Sequence, residues 1–248
     1  MRIEDHPKFA IVGAGAIGSL VGGILSHQGH DVTLVGRQRH VEEIRQHGLQ
    51  IDGVAGDFTV EVNAAQALRS QPDLILLAVK SQDVPSDCEA IKPYAAESAV
   101  VMMQNGVRSA QAAATAFGED HILGCTILFN ARYLSPGRVT YANKGSIIIG
   151  RALSANYNVL TRLQEMLNTV APTTISDNIL GVQWTKLLVN ALDSMTGLDV
   201  GACMRHPQMP RIGVWIFKVV ELIHRIESSH TFYSPAGLMK QFNGLKHP

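Results

Sequence analysis

The sequence predicts an α/β protein, with a doubly wound parallel sheet in its N-terminal part and a smaller, all-helical C-terminal domain. Three observations predict this fold class. The first 35 residues divide into a strand, a glycine turn, a helix and a second strand. Residues 74–79, LILLAV, are apolar throughout, which is typical of a strand buried on both faces of a parallel sheet. After Ile175 the strand patterns disappear and helical patterns follow.

The opening unit begins with a strand at residues 9–12, FAIV, which runs directly into the sequence GAGAIG. Apolar residues at helical spacing then extend over 17–26, and Gly29 closes this segment as a helix C-cap does. Residues 31–35, DVTLV, form the second strand. Together these segments predict one βαβ unit.

The rest of the chain separates into two parts by its periodicity. Further strands are predicted at 49–51, 58–62, 74–79, 100–103, 122–128 and 146–149, with helical stretches between several of them. Two later helices are predicted at 183–195 and 211–227. We therefore expect a domain boundary near Ser176, so that residues 1–176 form the α/β domain and residues 177–248 the helical domain.

Composition excludes several classes of protein. Hydrophobic residues make up 46% of the chain, charged residues 17%, and the net charge is zero, without the clustered Lys and Arg that nucleic-acid binding requires. No segment reaches the ~18 consecutive apolar residues that span a bilayer, and charges interrupt the N-terminus where a signal peptide needs an apolar core. Cys88, Cys125 and Cys203 are scattered in apolar stretches, which favours reduced thiols in a cytoplasmic protein, and no metal-binding spacing such as HExxH occurs.

A glycine motif, G-x-G-x-x-G, joins the first strand to the first helix. Gly13 permits the tight turn, Gly15 lets the backbone approach a pyrophosphate, and Gly18 allows close packing of helix and strand. Ala16 and Ile17 open the helix, whose N-terminal N–H groups would face the anion. A packing turn without a ligand is the alternative, but the position within a βαβ unit favours a dinucleotide site in a Rossmann-type domain.

The end of the second strand indicates which dinucleotide is bound. An NAD site usually has Asp or Glu there, about 20 residues after the glycines, to bind the ribose 2′-hydroxyl. Residues 36–40 instead read GRQRH, and Arg37 could pair with a 2′-phosphate through two hydrogen bonds. The alternative is that Arg37 is a solvated loop residue. The missing acid favours NADP.

Two polar residues follow buried strands. Lys80 comes directly after the strand at 74–79, and Asn105, in the sequence QNG, follows the next strand. The carboxyl ends of strands in an open α/β sheet face the ligand crevice, so both side chains could contact cofactor or substrate. A lysine that extends to solvent and an ordinary Asn-Gly turn are the alternatives, and both stay open.

The helix predicted at 183–195 carries two polar residues on one face. Lys186 and Asn190 are four residues apart and are surrounded by strongly apolar neighbours. A lysine in such a helix lies either at the rim of the apolar surface or in a cleft. In a cleft, its ammonium group could polarise a ketone and donate a proton as hydride arrives at the carbon.

These motifs together resemble the ketopantoate reductase (2-dehydropantoate 2-reductase) family. The resemblance rests on GAGAIG at 13–18, Lys80, QNG at 104–106 and W-x-K-x-x-x-N at 184–190. The segment 127–150 is also similar to that family's late hairpin in the Rossmann domain. The joint pattern extends over roughly residues 8–227 and is far more specific than any single motif.

The resemblance implies reduction of ketopantoate to pantoate with NADPH, on the route to pantothenate and coenzyme A. By this resemblance Lys186 is the general acid and Asn190 binds the substrate. Asn105 and Lys80 contact the nicotinamide ribose and the substrate region, and Arg37 holds the 2′-phosphate.

The sequence also departs from the family pattern. Ser194 stands where family members commonly carry a second asparagine, and the family's late substrate-binding Glu has no counterpart after Glu227, in a C-terminus that is expected to be shortened. An NADP(H)-binding protein with a degraded substrate site is therefore an alternative, as is another reductase, such as an opine or 3-hydroxyacid dehydrogenase. The helix at 211–227 is apolar on more than one stripe, which predicts a homodimer joined through residues 207–248.

Overall fold

The computed structural model describes residues 6–153 and 157–196 of the 248-residue chain. The strands are β1 (Lys8–Val12), β2 (Asp31–Val35), β3 (Leu49–Gly53), β4 (Phe58–Val60), β5 (Asn63–Ala65), β6 (Leu74–Leu77), β7 (Ala99–Met102), β8 (Ile122–Ile127), β9 (Asn130–Ser135), β10 (Arg138–Asn143), β11 (Ile147–Arg151) and β12 (Thr173–Ser176). The α-helices are α1 (Ala16–His27), α2 (Gln38–His47), α3 (Val84–Ile91), α4 (Ser109–Phe117), α5 (Tyr157–Leu167) and α6 (Ile179–Thr196). No helix in these ranges is long and apolar enough to cross a membrane.

The main sheet has eight strands in the order β12-β11-β8-β7-β6-β1-β2-β5. Every neighbouring pair is parallel except β8 and β11, which are antiparallel. From β1 the chain first adds β2 and β5 on one side and then β6, β7 and β8 on the other. The strand order therefore reverses between β1 and β6, the position at which ligands bind in open α/β sheets. The predicted doubly wound α/β fold is confirmed.

The opening βαβ unit is also confirmed, and α1 extends one residue beyond the predicted helix at each end. A pair of backbone hydrogen bonds ends this helix. The N–H of Gly29 donates to the carbonyl oxygen of Ser26 at 2.9 Å, and that of His30 donates to Leu25 at 3.1 Å. Gly29 has φ of +88°, a conformation that glycine adopts without strain, so its C-capping role is confirmed.

A second sheet, in the order β4-β3-β10-β9, differs from the predicted single sheet. The predicted strand at 58–62 is shorter in the structure: β4 ends at Val60 and pairs with β3. A separate strand, β5, which was not predicted, follows it and pairs with β2 in the main sheet. β9 and β10 form an antiparallel hairpin within the segment 127–150. Every residue of β9 is exposed except the half-buried Ala131, so this strand lacks the apolar alternation by which a strand is recognised.

Hydrophobic clusters cover both faces of the main sheet. Ile11 of β1 belongs to one cluster and its neighbour Val12 to the other. All four residues of β6 are inaccessible to solvent, as predicted for a strand buried on both faces. Cys88 and Cys125 are both buried, and burial, with smaller contributions from nearby acidic groups, raises the pKa of the Cys88 thiol to about 11. Cys203 lies outside the described residues.

The chain divides into two compact units. The first contains the described residues up to Gln104 together with Arg108–Ile179, and the second contains Asn105–Val107 and the helix from Leu180 onward. A domain boundary near Ser176, with a helical domain that extends to residue 248, stays a prediction. The helix expected at 211–227 and the dimer contact expected at 207–248 lie outside the described residues.

Candidate functional site

The glycine turn is held between the ends of β2 and β6. The N–H groups of Gly13 and Ala14 both donate to the carbonyl oxygen of Val35, at 3.0 and 2.9 Å. Gly13 has φ of +100°, and a Cβ atom on it would lie 2.6 Å from the backbone nitrogen of Val79. Both the backbone conformation and the lack of space therefore require glycine at this position.

The other two glycines of the motif differ from one another in their surroundings. A Cβ on Gly18 would overlap the carbonyl oxygen of Gly13 and would lie 3.2 Å from Cβ of Ala78, so helix and strand pack closely here. A Cβ on Gly15 would meet no atom within 4 Å among the described residues. The turn is thus packed at Gly13 and Gly18 and open at Gly15, as the three conformational roles predicted from the sequence require.

The open side of the turn coincides with the start of α1. Gly15 is the N-cap residue, and no side chain in the described ranges caps the helix. The N–H groups of the first helical residues, Ala16, Ile17 and Gly18, have no carbonyl partner one turn earlier in the helix, and the helix dipole favours negative charge there. An open backbone in front of these N–H groups fits the pyrophosphate of a dinucleotide.

Arg37 lies beside this turn, where β2 leads into α2. It is exposed and is the N-cap residue of α2. Gly36, just before it, packs so closely on the turn that a Cβ there would lie 2.8 Å from Cβ of Ala14. The backbone that carries Arg37 therefore lies next to the candidate pyrophosphate site, at the strand end where a dinucleotide's adenosine ribose lies in this fold.

His40, to which no sequence motif pointed, connects three elements around Arg37. It is only 2% exposed. The backbone N–H of Gly137, in the β9–β10 turn, donates to Nδ1 at 2.9 Å, and Nε2 lies 2.9 Å from Oγ of Ser19 on α1. Because an N–H group can only donate, we assign the proton to Nε2, which then donates to Ser19. A single histidine in a helical pattern gives no sequence signal for such a contact.

We predict that the neutral state of His40 makes stability depend on pH. Burial holds the pKa of His40 below its usual 6.5, so the unfolded chain binds this proton more readily than the folded chain. The free energy of unfolding should therefore fall as pH drops below about 6.5, until the lowered pKa is passed. Urea unfolding at several pH values should show a shallower decline for His40→Gln. Burial, with smaller effects from His6 and Arg162, also lowers the pKa of His30. His30→Gln should therefore remove a second, separate part of the same pH dependence. Parallel curves for wild type and His40→Gln would contradict the prediction.

Lys80 and Gln104 follow the neighbouring strands β6 and β7. Lys80 is exposed and its carbonyl oxygen accepts a hydrogen bond from the N–H of Asp83 at 2.9 Å. Gln104 is buried, and its Nε2 donates to the carbonyl oxygen of Leu77 at 2.8 Å. Arg37, the glycine turn, Lys80 and Gln104 therefore lie at the same edge of the main sheet, at the ends of β2, β1, β6 and β7. Asn105 is exposed and belongs to the second unit.

Lys186 and Asn190 lie in the single continuous helix α6, so the structure brings them onto one helical face. Lys186 is half-buried and Asn190 is exposed. Trp184, two residues earlier, is 6% exposed. A partly buried lysine with an amide one turn further along can bind and polarise a carbonyl oxygen. The helix extends from 179 to 196, further in both directions than predicted.

The doubly wound sheet and its glycine turn define a protein with the Rossmann fold. Residues 9–154 match the family model described as "Ketopantoate reductase PanE/ApbA". The match covers more than half of the chain, and the protein belongs to this family. The resemblance found in the sequence motifs is confirmed.

Individual relatives agree with the family assignment. The 2-dehydropantoate 2-reductase of Pyrococcus horikoshii is 33% identical over 186 residues, which cover 74% of this chain and 61% of that protein. The chain thus spans about three-fifths of the length of this relative. The crystal structure of a PanE/ApbA family ketopantoate reductase from Ralstonia eutropha JMP134 superposes with a TM-score of 0.79 at 28% identity, covering 94% of this chain and 79% of that one.

The same fold also occurs in a solved structure that is not named as a ketopantoate reductase. The ternary structure of D-mandelate dehydrogenase with NADH and anilino(oxo)acetate has a TM-score of 0.83, covering 96% of this chain and 80% of that one. At 20% identity this likeness shows the fold alone.

Proposed function

We propose that the protein is an NADPH-dependent reductase of a 2-oxo acid, with ketopantoate as the substrate and pantoate as the product. The observation that carries the proposal is the glycine turn, which is open at Gly15 in front of the α1 N-terminus and has Arg37 beside it. Relatives named 2-dehydropantoate 2-reductase support the choice of substrate.

The residues at the sheet edge fit NADP. The N–H groups of Ala16, Ile17 and Gly18 would bind the pyrophosphate. Arg37 would pair with the 2′-phosphate, and the sequence 36–40 has no carboxylate that would repel it. Since the glycine turn lies at β1 and Arg37 at β2, the nicotinamide half of an extended dinucleotide would lie on the other side, toward β6. Lys80 follows that strand, and with Asn105 it would contact the nicotinamide ribose and the substrate region.

The proposed reaction adds a hydride and a proton to a ketone. When bound, the nicotinamide would supply the hydride to the carbonyl carbon. The Lys186 ammonium group would bind the carbonyl oxygen, stabilise the negative charge that develops on it, and donate the proton. Asn190, one helical turn away, would hold the substrate by a hydrogen bond from its amide. The products are the 2-hydroxy acid and NADP⁺.

The decisive experiment measures NADPH oxidation by the purified protein with a panel of 2-oxo acids. Ketopantoate should give the highest kcat/KM, ahead of pyruvate, 2-oxoisovalerate and benzoylformate. A preference for another acid would indicate a different reductase of this fold. NADPH binding without turnover of any acid would support the alternative, a cofactor-binding protein with a degraded substrate site. No binding of NADPH or NADH would overturn both.

We predict that Arg37→Ala weakens NADPH binding and leaves NADH binding nearly unchanged. A charged, hydrogen-bonded contact to phosphate contributes about 1.5–3 kcal/mol, which corresponds to a loss of roughly 10- to 150-fold in affinity. Fluorescence titration with NADPH and with NADH measures the two affinities. Arg162→Ala on α5 removes a half-buried arginine that pairs with Glu165 at 3.4 Å, and it should change neither affinity. An equal loss for both cofactors in the Arg37 variant would refute the assignment.

The homodimer and the cytoplasmic location stay predictions of the sequence. Light scattering on the purified protein tests the first of these. A stable monomer at micromolar concentration would contradict the dimer that the apolar residues of 211–227 predict.

A further inference from the structure

Tyr133 is an exposed aromatic residue that the hydrophobic core does not explain. It lies on β9, the edge strand of the second sheet, and is 42% exposed. A single exposed ring is common on protein surfaces and indicates no function by itself. What distinguishes Tyr133 is its position relative to His40 and Arg37.

The ring of Tyr133 packs against His40, with the ring centroids 5.0 Å apart and an interplanar angle of 52°. His40 is held on both ring nitrogens, by Gly137 and by Ser19, so it gives Tyr133 a rigid support. The backbone N–H of His40 donates to the carbonyl oxygen of Arg37 at 3.0 Å, so the two residues share the first turn of α2. A ring supported by His40 therefore lies close to the turn that carries Arg37.

The electrostatics agree with this geometry. Burial raises the pKa of the Tyr133 phenol, and the positive charge of Arg37 opposes this to a smaller extent, as expected for two groups that lie near one another. The phenol therefore stays protonated at neutral pH and can donate a hydrogen bond. A guanidinium group that follows β2 and a phenol donor on β9 together suit a dianionic phosphate monoester.

We propose that Tyr133 is a specificity-determining residue, whose hydroxyl group donates a hydrogen bond to the 2′-phosphate of NADPH beside Arg37. The inference rests on the proposed use of NADPH and extends it to a residue from a different sheet. Two strands would then contribute to the phosphate site: β2 through Arg37, and β9 through Tyr133. The contacts of His40 would hold Arg37 and Tyr133 in fixed positions relative to one another.

The test compares Tyr133→Phe with wild type, because this substitution removes the hydroxyl and keeps the ring. Affinities are measured by calorimetry for NADPH, for NADH, and for the fragments 2′,5′-ADP and 5′-ADP. We expect roughly 10- to 100-fold weaker binding of NADPH and 2′,5′-ADP, with NADH and 5′-ADP unchanged. Tyr94→Phe, in the turn after α3, is the matched control and should change none of the four affinities.

A double-mutant cycle with Arg37→Ala adds a readout that a merely structural residue would not give. If both side chains bind the same phosphate, their effects on 2′,5′-ADP affinity should not be additive, whereas independent effects would add. Tyr133→Ala separates the role of the ring from that of the hydroxyl. Equal losses for NADPH and NADH in Tyr133→Ala, with a silent Tyr133→Phe, would show that the ring packs on the adenosine and would overturn the proposal.

The proposed function and the inference about Tyr133 fail in different ways. A wild-type protein that binds 2′,5′-ADP no better than 5′-ADP has no 2′-phosphate site, which contradicts the use of NADP itself. A wild-type preference for 2′,5′-ADP that Tyr133→Phe leaves intact contradicts only the role of Tyr133.

Discussion

Lys186→Ala should lower the turnover number of the proposed reduction by ~10²–10⁴ and leave the affinity for NADPH nearly unchanged. The half-buried position of Lys186 on α6 suits a group that holds a proton for a ketone oxygen. In the proposed mechanism, removing it takes away both the proton donor and the positive charge that would stabilise the developing alkoxide. Steady-state kinetics with the preferred 2-oxo acid, together with an NADPH titration, measure the two effects separately.

A matched control removes a lysine far from the proposed chemistry. Lys92, after α3, is exposed and lies 3.9 Å from Glu89, so Lys92→Ala should retain wild-type turnover. Lys186→Arg is a second comparison, because arginine keeps the charge but does not release a proton at neutral pH. If Lys186→Ala retained wild-type turnover, the lysine would have a structural role and the proposed mechanism would be wrong.

The parts of the fold that the sequence predicted are those with strong local patterns. β1, α1, β2 and β6 follow from an apolar run, a glycine motif and a C-cap glycine, all of which act over a few residues. The second sheet depends on contacts distant in sequence, because β3 pairs in parallel with β10, where Gln50 lies opposite Arg138. No local sequence pattern indicates such a pairing, and only the family resemblance pointed to the hairpin.

The residues of the candidate site also differ in how far a local sequence pattern indicates them. The glycines and Arg37 were predicted because each occupies a fixed place in a βαβ unit. His40 and Tyr133 were missed, since their significance comes from a ring contact and from a hydrogen bond between residues 40 and 137, which are 97 positions apart. Residues that act through tertiary contacts give no signal in a single sequence.

Gly13→Ala and Gly15→Ala should separate the folding role of the glycine turn from its binding role. At Gly13 the φ of +100° strains any other residue, and the added Cβ would lie 2.6 Å from a backbone nitrogen that cannot rotate away. We expect Gly13→Ala to lower the free energy of unfolding by about 2–5 kcal/mol. Thermal and urea unfolding without any cofactor measure this loss.

Gly15→Ala should have the opposite effects: little change in the free energy of unfolding and a clear loss of cofactor affinity. Its φ of −87° suits alanine, and the new methyl group would meet no described atom within 4 Å, so the free energy of unfolding should fall by no more than ~1 kcal/mol, the cost of alanine at an N-cap. The methyl group would, however, occupy space in front of the helix N-terminus, where the pyrophosphate is proposed to bind. Affinity for NADPH and NADH should therefore drop together, by roughly 5- to 150-fold, because both carry the same pyrophosphate. A Gly15→Ala protein that folds normally and binds both cofactors as tightly as wild type would exclude the open side of the turn as the dinucleotide site.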